Sequence, residues 1–154
     1  TCTTTDPLLT GNAALASDCA MAALEGIGAK IVASCTGLSA ATSGLVLVTG
    51  NCDLPDMGTL ADPVVLVVAG NVSISGNGNF YGIIFNYSRN NTASFSGSGG
   101  MNFFGSVIVQ GSMDLGGGPA FVYSEKVAES IRNSAAFQRF AKVPGSWLDS
   151  RAAF

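Results

Sequence analysis

The stretch Leu45-Val46-Leu47-Val48-Thr49-Gly50-Asn51-Cys52-Asp53-Leu54 aligns without a gap on Val65-Leu66-Val67-Val68-Ala69-Gly70-Asn71-Val72-Ser73-Ile74, and Ser106 to Leu115 fits the same template. A second match, Gly76 to Gly82 on Gly99 to Gly105, places a further unit at Ile83. Units therefore begin near 45, 65, 83 and 106, at intervals of about 20 residues, the range in which one repeat is one coil of a solenoid. A single coil cannot bury its apolar side alone, so such a repeat requires stacked neighbours.

Between the glycines the runs are short and rich in Val, Ile and Phe, which reads as strand and turn rather than helix. The expected fold is therefore mainly β: a short β-solenoid of about four coils over 45–123. Its competitor is an antiparallel sandwich, because Asn77-Gly78 is a hairpin signal by itself. Stacking predicts a ladder of Asn51, Asn71 and Ser112, a second of Asn79 and Asn102, and an inward Cys52 at the place of Val72 and Met113. Asn86 to Thr92 is polar and aperiodic, and reads as a loop projecting from one coil.

The flanks differ in character. Over 1–44, Asn12 can cap a helix from Ala13 to Glu25 that ends at Gly26-Ile27-Gly28, and a second short helix is expected over Ala29 to Ser34. Over 124–154, Ser124 can cap an amphipathic helix from Glu125 to about Ala141, with Val127, Ile131, Ala135 or Ala136, and Phe140 on one side. Laid across the open end of a solenoid, that helix would cover apolar side chains and unpaired strand edges. It is expected to cap the stack.

Charge and cysteine usage narrow the function class. Charged residues are 11% of the chain and apolar ones 47%, which excludes a disordered polyampholyte. There is no histidine, which removes histidine-based metal sites and Ser-His or Cys-His catalysis. Residues 1–123 hold seven acids and two bases, so the body offers a polyanion no broad basic face, and nucleic acid is not an expected partner. The four cysteines, Cys2, Cys19, Cys35 and Cys52, lie 17, 16 and 17 apart and fit no zinc knuckle. Their even number and the polar, weakly charged composition favour an exported protein with two disulfides, Cys19 with Cys35 across the helical hairpin and Cys2 with Cys52.

No phosphate loop and no nucleophile-elbow motif is present. Asp53, Asp56 and Asp62 surround a turn and are weak calcium candidates, without the spacing of an EF-hand. In strands that alternate, Phe80 and Phe103 face inward, while Tyr81 and Phe104 form an outward aromatic stripe that is a candidate partner contact. No cofactor and no catalytic residue is expected. Sequons begin at Asn71, Asn86 and Asn90.

The order of parts resembles a known family. The Gly-Asn repeat, the Phe80-Tyr81-Gly82 and Phe103-Phe104-Gly105 strands, Gly117-Gly118-Pro119-Ala120-Phe121-Val122-Tyr123, an amphipathic helix and Val143-Pro144-Gly145-Ser146-Trp147-Leu148-Asp149 are similar to the C-terminal region of PilX-type minor pilins of bacterial type IV pili. The similarity runs over residues 45–150, and residues 1–44 carry none of it. It implies a non-enzymatic subunit acting in pilus tip assembly and initiation, through contacts with other minor pilins and a tip adhesin. It also implies an exported protein of the pilus tip or periplasm, held in the membrane before assembly by a long apolar N-terminal helix. That helix is missing from this sequence, and we attribute its absence to truncation. The alternative is an exported β-helix that binds or cleaves polysaccharide, for which carboxylates would have to gather with Arg89, the one base in the repeat region.

Overall fold

The computed structural model describes residues 28–87 and 92–135. Ten strands and one helix follow in order: β1 Lys30–Val32, β2 Gly44–Val48, β3 Cys52–Asp53, β4 Val64–Val68, β5 Val72–Ile74, β6 Gly78–Asn86, β7 Ala93–Gly97, β8 Met101–Val109, β9 Gly111–Leu115, β10 Ala120–Val122 and α1 Glu125–Asn133. Every pairing between these strands is parallel. One sheet has the order β1-β2-β4-β6-β8-β10 and the other β3-β5-β7-β9. From β2 onward the chain alternates between them, turn after turn, as a β-solenoid of about four turns.

The register is the one the repeat dictates. Val46 pairs with Leu66, Leu66 with Ile84 and Ile84 with Val107, which removes the antiparallel sandwich. β6 and β8 are long because each continues through a glycine. The half after Gly82 pairs with β4, while Phe80, before it, bridges to Met57. Each full coil thus has three extended stretches.

Alternation fills the interior. Val46, Val48, Val64, Leu66, Val68, Ile84, Phe80 and Phe103 belong to one core between the sheets. Cys52 stacks under Val72, Val72 under Phe95 and Phe95 under Met113, and Cys52 is fully buried as expected. At about 25 cal/mol per Å2 a buried side chain of this size stabilises by roughly 2 kcal/mol, and a column of them holds the coils together.

Three readings of the flanks need correction. The short helix placed at Ala29 to Ser34 is strand: Lys30, Ile31 and Val32 pair with Val46, Leu47 and Val48, so the solenoid starts at Lys30, well ahead of the boundary drawn at 45. An added strand satisfies the backbone edge of β2, which a short β-rich run does better than one turn of helix. The disulfide joins Cys35 to Cys52, not Cys19 to Cys35 or Cys2 to Cys52. The register brings them together, since a coil that sets Lys30 beside Val46 also carries Cys35 to a place beneath Cys52. The helix Ala13 to Glu25, Cys2 and Cys19 lie outside the described residues.

The third correction concerns α1. Ser124 caps it as expected, its Oγ accepting from the Val127 N–H at 3.3 Å. The helix does not lie across the end of the stack. It packs on β6 and β8, buries Val127, and its Ser130 Oγ donates to the Leu60 carbonyl at 2.8 Å. Leu60 follows Met57, three coils below β10. The helix therefore runs down the flank of the solenoid. It is also shorter than expected: it ends at Asn133, where Ser134 turns to extended backbone as the C-cap and its N–H donates to the Ile131 carbonyl. The expected run to Ala141 is broken there, and Phe140 lies outside the described residues.

Candidate functional site

The polar ladders that stacking predicts are present, and they work differently from an amide-on-amide stack. The Asn51 Oδ1 accepts from the Asn71 N–H at 2.9 Å, and the Asn71 Oδ1 from the Ser94 N–H at 3.1 Å. Ser94 pairs with Ser112, so one position is polar in four successive coils. The Asn77 Oδ1 accepts from the Gly100 N–H at 2.8 Å. Among these ladder amides only Asn102, whose Nδ2 donates to the Asn79 Oδ1 at 3.1 Å, bonds side chain to side chain. Each of the others satisfies a backbone donor of the coil above, at a turn where the sheets supply no partner.

Two of the acids also bond to the coil above, Asp53 to side-chain hydroxyls and Asp56 to a backbone N–H. The Asp53 carboxylate accepts from the Ser73 and Ser75 hydroxyls at 3.2 and 2.9 Å. The Asp56 Oδ1 accepts from the Asn79 N–H at 2.9 Å. Asp53 and Asp56 border a recess of 530 Å3 with Leu38, Ser75, Asn77 and Met101. Asp62 sits apart, in the turn its N–H makes with the Thr59 Oγ1 at 3.0 Å. Among the described residues no three acids or cysteines converge as a metal-binding group. Arg89, which the polysaccharide reading requires beside them, lies outside the described residues.

The aromatic pairs divide as alternation demands. Phe80 and Phe103 are buried, with ring centroids 5.9 Å apart. Tyr81 and Phe104 stack on the outer side at 4.7 Å and 9°. They are half-buried rather than open, on the two strands against which α1 packs. Of the sequons, Asn86 is fully buried, its Nδ2 donating to the Gly70 carbonyl at 2.6 Å, while the Asn71 side chain belongs to the ladder.

Most of the exposed large apolar side chains among the described residues lie elsewhere, at the last coil. Ile108, Met113, Phe121, Val122 and Tyr123 are 45–76% exposed, and Leu60 is the one other large apolar side chain among the described residues in that state. Phe121 continues the inward aromatic column, stacked on Phe103 at 4.9 Å and 12°, but no described coil follows it. Sequence reasoning gave this surface to the helix. The signal that would have identified it is the run Phe121-Val122-Tyr123 after the last glycine-rich turn, with no further repeat to bury it. Compared with known protein families, characterised proteins and solved structures, the chain matches none.

Proposed function

We propose that this chain is a non-enzymatic minor pilin subunit of the PilX type, acting in assembly and initiation at the tip of a type IV pilus through contacts with other minor pilins and a tip adhesin. The observation that carries the reading is the uncovered last coil. Rigid aromatic and aliphatic side chains on a β framework desolvate a large area with little loss of side-chain freedom, as a protein interface requires. The resemblance through Val143-Pro144-Gly145-Ser146-Trp147 supports the family. The buried Cys35–Cys52 disulfide is consistent with an oxidising compartment outside the cytoplasm. No helix among the described residues is long and apolar enough to cross a membrane.

The polysaccharide alternative is less well supported because Asp53 and Asp56 are engaged with the coil above them. A binding titration separates the two. The full chain should bind soluble domains of other minor pilins, and Val122→Ala with Tyr123→Ala, which spares the Phe121 stack on Phe103, should weaken that binding tenfold or more at an unchanged melting temperature. Binding unaffected by the double variant, or release of reducing ends from a polysaccharide panel, would overturn the reading.

A further inference from the structure

The outer side of the first sheet carries a second apolar surface. Along β2, Val46 and Val48 belong to the interior core, whereas Leu45 and Leu47 form a separate cluster with Ala29, joined by Ile31, Val65 and Val67. These side chains point away from the solenoid interior. Leu47 is nevertheless 0% exposed, and Leu45 8%. Within the described residues β2 packs on its sheet neighbours β1 and β4, and sheet neighbours alone do not close the outer side of a strand. The register carries the stripe onward, from Ile31 through Leu47, Val67 and Phe85 to Ile108. Exposure rises along it, from 0% at Leu47 to 50% at Ile108. Ile31 on the edge strand is half-buried, so whatever covers the face lies most closely on β2, one strand in from where the chain enters at Gly28.

We infer that residues 13–25 of this chain dock on the outer face of β1, β2 and β4 and cover Leu45 and Leu47. The segment joins the face directly, since Ala29 is itself part of the cluster. It contains six alanines with Leu15, Met21 and Leu24, and its charges are limited to Asp18 and Glu25. As a helix, the segment would measure about 20 Å. Crossing from β1 to β6 takes three strand spacings, about 14 Å, so the length suffices to cover Leu47 and Val67 and runs out near Ile108. Alanine-rich surfaces approach a sheet closely, which suits the flat, branched surface of Leu45, Val65 and Val67. The docking holds whichever function the chain has, and it leaves the last coil as the surface free for partners.

The test is native-state hydrogen exchange on the full chain, at two protein concentrations. Amides 13–25 should be protected, and Val67→Asp should lower their protection at least tenfold more than that of β7 on the other sheet. Protection no greater than in a free peptide of the same sequence, or protection indifferent to Val67→Asp, would overturn the inference. Protection that grows with concentration would overturn the choice of occupant in favour of a second copy. If Val67→Asp does not fold, mild variants decide: Val67→Ala is combined in turn with Leu15→Ala, Met21→Ala and Leu24→Ala. At least one double variant should melt higher than the sum of its single shifts requires, and strict additivity in all three would refute docking.

Discussion

Replacing Gly82 by alanine tests the stacking directly. Gly82 lies where β6 passes from pairing with Met57 to pairing with β4, opposite Val64 on one side and Gly105 on the other. Its φ is 147°, a backbone conformation that a residue with a Cβ resists, and a Cβ there would be driven into the Val64 carbonyl oxygen. Two effects add. Holding alanine in that conformation costs roughly 1–3 kcal/mol, and pushing a buried carbonyl off its partner about 1–3 kcal/mol more. The expected loss is therefore about 4 kcal/mol, a large share of the stability of a domain this size. Gly105 has a φ of 142° and the Gly82 carbonyl beneath it, but it stands in the final coil. There the stack can shed its last turn, so Gly105→Ala should lose about half as much. Gly117, with open space at its Cβ position, is the control. Urea unfolding followed by circular dichroism gives all three values. Gly82→Ala within about 1 kcal/mol of the native chain would refute the reasoning.

Further outcomes follow from the same contacts. Cys35→Ala with Cys52→Ala opens a loop of sequence separation 17 and should destabilise by about 3 kcal/mol in the chain-entropy estimate; calorimetry checks it, and protection should be lost first in β1 and β3. Asn71→Ala removes the acceptor for the Ser94 N–H and should cost about 1 kcal/mol, read as a shift in urea midpoint with an unchanged slope. Tyr81→Ala with Phe104→Ala removes a half-buried stack beside α1. It should lower the melting temperature more than it changes partner affinity, and the reverse result would restore that stripe as the main contact.

What was legible in the sequence was whatever the repeat made periodic. Leu45, Val65, Ile83 and Ser106 begin equivalent stretches in the sequence and are paired in space. The branched runs are marked by Gly50-Asn51, Gly70-Asn71 and Gly111-Ser112 after three of them and by the matching Gly76–Gly82 and Gly99–Gly105 segments before the last two. β1 escaped notice because Lys30-Ile31-Val32 is followed by no Gly-Asn pair. Its coil is also the shorter one, running from Lys30 to Val46 where the next runs from Val46 to Leu66. The disulfide escaped with it: three nearly equal cysteine spacings carry no pairing information until the register of that coil is known. Ser94 was missed in the ladder for another reason. Asn71 follows Val68 by three positions, while Ser94 follows its counterpart Asn86 by eight, and the interposed polar residues, expected as a projecting loop, hide the equivalence. The fate of α1 was not legible at all, since an amphipathic helix fits a flank and an end equally well.

The parallel stacking has a mechanical side. Hydrogen bonds between successive turns lie along the stacking axis, since each strand pairs only with its counterpart one turn above and one below. Tension along that axis opens one turn at a time, each resisting with its own few bonds. Tension across it shears a whole ladder together. Two features cross several turns or lock them: the Cys35–Cys52 bond fastens the first turn to the second, and α1, continuous with the last turn, is hooked to the Leu60 carbonyl far below. A pull that would peel the upper turns upward must also slide this helix along the flank. The domain therefore has a clasp at its base and a strap down its side, and it should bear load better where these two features hold it than at its exposed edge.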